Sequence, residues 1–271
     1  MAEYILNHTG EEIDGLFGEN CSRFGANSHT EGSETQTTGD NAHAEGYKTV
    51  AAEMAHAEGE ACKALGGASH AEGDQTIAEG NQAHAEGHET MAAGSSSHAE
   101  GKETEARGAH SHAEGEDTIA EGENSHAEGF TTNASGYSSH AEGNGTKAIG
   151  NYSHAEGDCT IAGGYASHAE GIWTEAKNEG EHACGYGNIS STGDTEAEQT
   201  MFSVGIGGFG AQKNGLEVRK NGDIYLWLNG SYVCLQAVIN SMNGSYSHAA
   251  AIGEEEMEKI VDSYLDNTEL Q

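Results

Sequence analysis

A pentapeptide of the form Ser-His-Ala-Glu-Gly recurs along most of the chain, and this repeat restricts the possible folds more than any other feature. Successive His residues are 14 residues apart, except for a step of 13 between His43 and His56. The twelve His residues are His29, His43, His56, His70, His84, His98, His112, His126, His140, His154, His168 and His182. Self-similarity at a fixed period indicates a solenoid, in which stacked repeats share a continuous core.

Glu forms a second column, two residues after His. It occupies this place in eleven repeats, as Glu31, Glu45, Glu58, Glu72, Glu86, Glu100, Glu114, Glu128, Glu142, Glu156 and Glu170, whereas Cys184 replaces it after His182. A further motif follows inside each unit, as in Thr76-Ile77-Ala78-Glu79-Gly80. A period of 14 is too short for a helical repeat, so each unit predicts one coil of two short strands and two tight turns.

Strand geometry predicts which residues face inward. Side chains alternate between the two faces of a strand. We therefore expect the Ser, Ala and Gly of the first motif, and the Thr, Ala and Gly of the second, to face a thin lumen. His and Glu then point outward. Stacking at ~4.8 Å per coil makes a rod roughly 55 to 60 Å long.

Composition excludes several classes of partner. The formal net charge is −34, and both nucleic acid and anionic membranes need a basic patch. No apolar run approaches the roughly 20 residues of a membrane span, and the chain does not open with a basic-then-apolar signal segment. We expect synthesis in the cytoplasm, no nucleic-acid partner and no membrane insertion. The five Cys residues are scattered and fit free small residues, and nothing in the sequence calls for a cofactor.

The chain divides into four predicted segments. Residues 1–14 form an N-terminal arm or attachment segment, and residues 15–192 form the repeat domain. Residues 193–240 contain strand-like runs separated by Asn-Gly pairs, which predict a β-meander. Residues 241–271 are a Gly/Ser link followed by an amphipathic helix. We expect the meander and the helix to seal the end of the trimer by burying five apolar residues, namely Phe202, Ile224, Leu226, Trp227 and Leu235.

The repeat resembles the head repeats of trimeric autotransporter adhesins, the YadA-like head, over about residues 15–192. These are left-handed parallel β-rolls of 14-residue coils, typically reading Ser-Val-Ala-Ile-Gly and then Thr-x-Ala-x-Gly, and they assemble as homotrimers. The resemblance implies an all-β, left-handed parallel β-roll in a homotrimer. In that family the Val and Ile positions face the neighbouring subunits. His and Glu hold those positions in this chain, so the resemblance implies that both columns are subunit-interface residues.

The His-Ala-Glu-Gly form of the repeat, followed by segments such as Phe202-Ser203-Val204, also resembles tail-fibre and surface proteins of phages and prophages. This implies a structural or adhesive fibre on a virion or extracellular particle. Expected partners are other tail or particle proteins at one end and a host-surface receptor. A bacterial surface adhesin head is the alternative within the same class.

Two further classes of function stay open. An exposed His/Glu array would be a metal- or surface-binding module, since three His nitrogens on a threefold axis suit one metal ion. Against a metal, Glu is a good hydrogen-bond acceptor for a neighbouring imidazole. An enzyme is the weakest alternative, because strand alternation puts Ser opposite His and no nucleophile elbow is present. We therefore predict no catalytic residue and no metal.

The His and Glu columns also predict a pH dependence. A His paired with a Glu of the neighbouring chain is expected to have a pKa above ~6.5, and that Glu a pKa below ~4.3. The assembly would then be most stable from mildly acidic to neutral pH and would weaken in both strong acid and alkali.

Overall fold

A computed structural model of the chain describes residues 16–208 and 210–243. Each coil contains one longer strand and one strand of two residues, joined by tight turns. The strands of the coils are β1 (Leu16–Glu19), β2 (Ser22–Arg23), β3 (His29–Ser33), β4 (Gln36–Thr37), β5 (His43–Tyr47), β6 (Val50–Ala51), β7 (His56–Glu60), β8 (Lys63–Ala64), β9 (His70–Asp74), β10 (Ile77–Ala78), β11 (His84–His88), β12 (Met91–Ala92), β13 (His98–Lys102), β14 (Glu105–Ala106), β15 (His112–Glu116), β16 (Ile119–Ala120), β17 (His126–Phe130), β18 (Asn133–Ala134), β19 (His140–Asn144), β20 (Lys147–Ala148), β21 (His154–Asp158), β22 (Ile161–Ala162), β23 (His168–Ile172), β24 (Glu175–Ala176) and β25 (His182–Tyr186). The predicted parallel β-solenoid of 14-residue coils is confirmed.

The coils stack in register as two parallel sheets. In the long-strand sheet, which contains the odd-numbered strands, each residue pairs with its equivalent one coil away, as in His84↔His98 and Glu86↔Glu100. The even-numbered strands form the short-strand sheet in the same way, as in Ala78↔Ala92. Every repeat position therefore becomes a column that runs along the rod.

The lumen contains the small residues that strand alternation predicts. Ser69, Ala71, Thr76 and Ala78 of one coil are all buried, and their equivalents are buried along the rod. The buried hydrophobic core is almost entirely alanine. At about 25 cal/mol per Å² of apolar surface, such small side chains contribute little burial energy per coil.

Glycine after Glu lies within the long strand but is not enclosed in the lumen, so the expectation that Gly73 faces inward is wrong. Gly73 is exposed and has a φ of +115°. A Cβ atom there would lie 2.1 Å from the carbonyl oxygen of Gly87 in the next coil. Only glycine combines this φ with such a close approach of two backbones. Gly80 of the second motif is buried, in agreement with the prediction.

Left-handed backbone recurs at both turns of each coil without glycine. Gln75 and Gln82 have φ values of 60° and 59°, and most coils repeat this geometry with Asn, Glu, Ser, Ala or larger residues. The N–H of Gln75 donates to the carbonyl of Glu60 at 2.7 Å, and that of Gln82 to the carbonyl of Gly67 at 2.9 Å. Bonds between successive coils thus hold a conformation that non-glycine residues adopt infrequently.

The rod continues for one strand beyond the repeat. Strand β26 (Thr200–Ile206) pairs in parallel with β25, with His182 opposite Phe202 and Gly185 opposite Gly205. A short 3-10 helix, Glu196–Glu198, precedes it. Strand β27 (Asn214–Arg219) then runs antiparallel to β26.

The chain forms two compact units, residues 1–222 and residues 223–271. The described part of the second unit contains the antiparallel hairpin of β28 (Ile224–Leu228) and β29 (Ser231–Cys234), followed by helix α1 (Leu235–Asn243). The predicted antiparallel C-terminal strands and a short helix are therefore present.

Helix α1 begins inside the segment that the sequence assigned to the meander. Its apolar residues Leu235, Val238, Ile239 and Met242 have helical spacing, which explains the difference. The helix expected in residues 241–271 and the predicted arm of residues 1–14 lie outside the described residues. None of the helices in residues 16–208 and 210–243 has the length and apolar character needed to cross a lipid bilayer.

Candidate functional site: the His and Glu columns

Two columns of polar side chains run along the outside of the long-strand sheet. In each repeat the His is the first residue of its strand and the Glu is the third, so both side chains point away from the lumen. The structure brings together all twelve predicted His residues and all eleven predicted Glu residues on this surface, which we call the His/Glu face. Whether it contacts another subunit stays a prediction.

The imidazole rings form a continuous stack. Ring centroids of successive His residues from His43 to His168 are 4.6 to 4.9 Å apart, and their planes differ by at most 7°. The spacing follows directly from the distance between strands in a sheet. The stack changes at its last step, where the ring of His182 is tilted by 27° from that of His168.

Each His lies close to a Glu of its own chain. From His29 to His140 the partner is in the same strand, for example at 3.6 Å between His112 Nε2 and Glu114 Oε2. Near the C-terminal end it is in the preceding coil, at 3.5 Å between His182 Nε2 and Glu170 Oε1. Sequence reasoning missed these contacts, because it assigned each Glu to an imidazole of a neighbouring chain.

Most Nε2 atoms of the column are covered and lack a hydrogen bond. From His43 to His182 each of them is buried, and none has a hydrogen-bond partner among the described residues, since the nearby Glu oxygens are not suitably placed. The side chains themselves remain about one third exposed, as in His112 at 35% and its neighbour Glu114 at 40%. The face is therefore half-buried in the single chain, and several of its polar groups can still form hydrogen bonds.

Burial lowers the pKa of several imidazoles in the single chain. For His43, His98, His140 and His168 desolvation is the main cause, and the positive charge of the adjacent imidazoles adds to it. The neighbouring Glu residues act in the opposite direction but are weaker. In the single chain, desolvation and repulsion within the stack thus exceed the attraction to Glu for these four groups. The raised pKa expected for a His paired with a Glu of another chain stays a prediction.

The stacked rungs place possible metal ligands near one another, as in His98, Glu100 and His112 within 4.8 Å, but their rings are parallel. Ligands of a tetrahedral Zn²⁺ lie about 3.3 to 3.8 Å apart, given metal–ligand distances of about 2.0 to 2.3 Å. Parallel rings with centroids 4.8 Å apart, as for His98 and His112, aim their nitrogens in the same direction rather than at a common point. Repetition of His and Glu alone thus favours a contact surface over a row of metal sites.

Sequence reasoning also missed a polar network that closes the C-terminal end of the lumen. Glu181 stands in the column that contains Ser in most coils, and it is completely buried. Its Oε2 accepts hydrogen bonds from the backbone N–H groups of Lys177 and Asn178 at 2.9 Å and from the Ser190 hydroxyl at 2.7 Å. Burial nevertheless raises the pKa of Glu181. A charged residue in a column of Ser is the signal that would have identified this position.

Two asparagines continue the short-strand sheet with their side chains. The Asn188 amide accepts from the N–H of Glu175 at 2.7 Å and donates to its carbonyl at 2.9 Å, as a paired strand would. Asn214 makes the same pair of bonds to Ile189, both at 2.7 Å. The five apolar residues that were expected to seal this end are only partly buried in the single chain. Polar side chains therefore close the lumen.

Comparison with known families identifies one match. The YadA head domain repeat matches residues 64–83 in two copies. This match and the solenoid of 14-residue coils fit a YadA-like head repeat. No curated protein matches the chain.

Proposed function

We propose that this chain is the subunit of a homotrimeric, adhesin-like fibre whose subunits meet through the His/Glu face. The match to the YadA head repeat supports an adhesin-like, structural role. The trimer, its left-handed winding and the absence of catalysis are part of this proposal.

The state of the His/Glu face is the observation that carries the proposal. From His43 to His182 the Nε2 atoms are buried and have no hydrogen-bond partner among the described residues, and the Glu carboxylates beside them are half-exposed. A buried polar atom without a partner costs free energy, so a surface that supplies donors and acceptors would stabilise this face. An identical face of another chain supplies both His and Glu.

The alanine core provides a second argument for assembly. A lumen of Ala, Ser and Thr buries little apolar surface per coil, so a single rod gains modest stability from its interior. Assembly of three rods would bury a larger area. Closed cyclic symmetry is the usual solution for identical chains that share one face.

The finer assignment is a phage or prophage tail fibre, or a receptor-binding appendage, on a virion or extracellular particle. It rests on the resemblance of the His-Ala-Glu-Gly form and of the segments near Phe202 to such proteins. One end would attach to other particle proteins, and the fibre would contact a host-surface receptor. A bacterial surface adhesin head is the alternative that the same repeat allows.

Two matched substitutions in one coil test the interface. Glu114 lies on the His/Glu face, whereas Glu121 of the same coil is exposed beyond the short strand. We expect sedimentation equilibrium at micromolar concentration to show a trimer for the parent chain and for Glu121→Arg. Glu114→Arg should dissociate at least about tenfold more readily, because it places a cation beside buried imidazoles and removes an acceptor.

Two results would contradict the proposal. A folded monomer of the parent chain at micromolar concentration would rule out the trimer. Equal association of the Glu114→Arg and Glu121→Arg chains would show instead that the His/Glu face lies outside the contact.

A further inference from the structure

Cys184 is the one residue that interrupts the Glu column, and it does so in the last coil of the repeat. We propose that Glu170, His182 and Cys184 form a transition-metal site, with Zn²⁺ as the ion that fits best. The site differs from the stacked rungs described above, and all three ligands come from one chain. It therefore does not depend on the proposed trimer.

The three ligand atoms already lie near one another. One carboxylate oxygen of Glu170, one ring nitrogen of His182 and the sulfur of Cys184 are within 4.8 Å of each other. The Nε2 of His182 is 3.5 Å from Oε1 of Glu170. Ligands on a tetrahedral Zn²⁺ lie about 3.3 to 3.8 Å apart, so this pair has the required spacing.

The surroundings of His182 separate this site from the other rungs. Its ring is tilted by 27° from that of His168, whereas the preceding rings are nearly parallel. On its other side the stack ends at Phe202, whose ring meets it edge-on at 5.5 Å. Like the Nε2 atoms of His43 to His168, that of His182 is buried and has no hydrogen-bond partner among the described residues. A metal ion would supply the partner that this nitrogen lacks.

The chemistry of the ligand set favours a borderline-soft ion. Thiolate, imidazole and carboxylate together suit Zn²⁺ and Co²⁺ rather than Ca²⁺ or Mg²⁺, which prefer oxygen ligands. The Cys184 thiol makes a long hydrogen bond of 3.6 Å to the carbonyl of Ser203, so rotation of the sulfur towards an ion costs little. Three protein ligands leave a fourth position for a further donor.

Co²⁺ is a direct probe of this arrangement, because a thiolate ligand produces a sulfur-to-cobalt charge-transfer band. The full-length chain, purified free of metal, is titrated with Co²⁺ and its absorption is recorded. We expect the band to appear with one ion per chain, together with the visible bands of tetrahedral cobalt. Zn²⁺ should then displace Co²⁺ and abolish the absorption.

Two variants identify the sulfur responsible. Cys184→Glu restores the residue that the other repeats carry at this position, so it should preserve the fold. It should lose the charge-transfer band and bind Co²⁺ at least about tenfold more weakly. Loss of a residue that only hydrogen-bonds to a metal ligand already lowers metal affinity by about that factor. Cys159→Ser removes an exposed thiol elsewhere on the rod and should leave the titration unchanged. Circular dichroism confirms that each variant is folded.

Three results would overturn the proposal. The parent chain could give no charge-transfer band, or the band could persist in the Cys184→Glu chain. A stoichiometry of one ion per three chains would also contradict it, because the ligands would then come from several subunits. Each of these results leaves the trimer proposal intact, since sedimentation tests that separately.

Discussion

At the scale of single residues, the lumen contains two kinds of buried hydroxyl. Ser125 donates its hydroxyl to the carbonyl of Gly122 at 2.6 Å, and its equivalents in several other coils do the same. The Thr118 hydroxyl is equally buried but has no hydrogen-bond partner among the described residues, and most Thr residues of its column share this state. The Thr column is therefore selected for size and strand preference more than for hydrogen bonding.

This difference predicts opposite outcomes for two nearly isosteric changes. Thr118→Val removes an unpaired polar atom and should leave the free energy of unfolding unchanged or raise it by up to about 1 kcal/mol. Ser125→Ala breaks a made hydrogen bond and should lower that free energy by about 1 kcal/mol. Denaturant unfolding of both variants and the parent measures the values. A larger loss for Thr118→Val than for Ser125→Ala would show that the Thr hydroxyls are bonded in solution.

The lowered His pKa values fix the sign of a pH dependence. In the unfolded chain an imidazole protonates near pH ~6.5, whereas in the folded single chain the imidazoles of His43, His98, His140 and His168 do so only at lower pH. Their stabilising contribution is fully present above pH ~6.5 and is lost as the pH falls through the folded pKa values. We expect the Tm to decrease between pH 7.5 and about 5 at constant ionic strength, with no loss above pH 7.5 from these groups.

Replacement of one affected imidazole provides the control for that measurement. His140→Gln should reduce the slope of Tm against pH, because one fewer group titrates in the stack. A Tm that rises on acidification over the same range would contradict the prediction. It would mean that carboxylates of other chains raise the His pKa on assembly, as the sequence alone had suggested.

At this scale the sequence predicted positions better than interactions. Periodicity placed every His and Glu on one face, because strand alternation follows from backbone geometry alone. It did not place His112 beside its own Glu114, nor reveal the desolvation that lowers the pKa of His98. Those properties depend on rotamers and on the stacking distance, which a pattern of residue types does not contain.

At the scale of elements, the coils and the closing segment differ in how predictable they are. One pattern occurs in twelve successive coils, so a misleading residue in a single coil does not change the predicted structure of the coils. The closing residues Asn178, Glu181, Asn188 and Asn214 occur once each and form a network of buried polar groups. No period signals such a network, and the sequence instead suggested an apolar seal.

The side-chain pairing of Asn188 predicts a local loss of stability. Asn188→Ala leaves the N–H and C=O of Glu175 without partners in a buried environment. We expect the free energy of unfolding to fall by about 2 to 4 kcal/mol, with faster amide exchange near β24. Asn133→Ala, in the middle of the short-strand sheet, should change it by no more than about 0.5 kcal/mol. Equal effects would show that Asn188 does not complete the sheet.

At the scale of the whole molecule, the rod is a one-dimensional stack. Each coil contacts only the coils before and after it, so the free energy of the rod is close to a sum of coil and interface contributions. The fixed step between rings sets the length of the rod by the number of coils alone. The ends are therefore the positions where sequence must depart from the repeat.

One coil departs from it internally. The unit from His43 to His56 lacks a residue, yet the strands on both sides keep their pairing. The turn of residues 52–55 absorbs the difference, and the N–H of Met54 still donates to the carbonyl of Asp40 at 2.8 Å. Because the ladders tolerate a change of loop length at this corner, the corner is a natural insertion point. A foreign peptide inserted there would project from the side of the rod. Its position along the rod axis would be set by the coil that carries it.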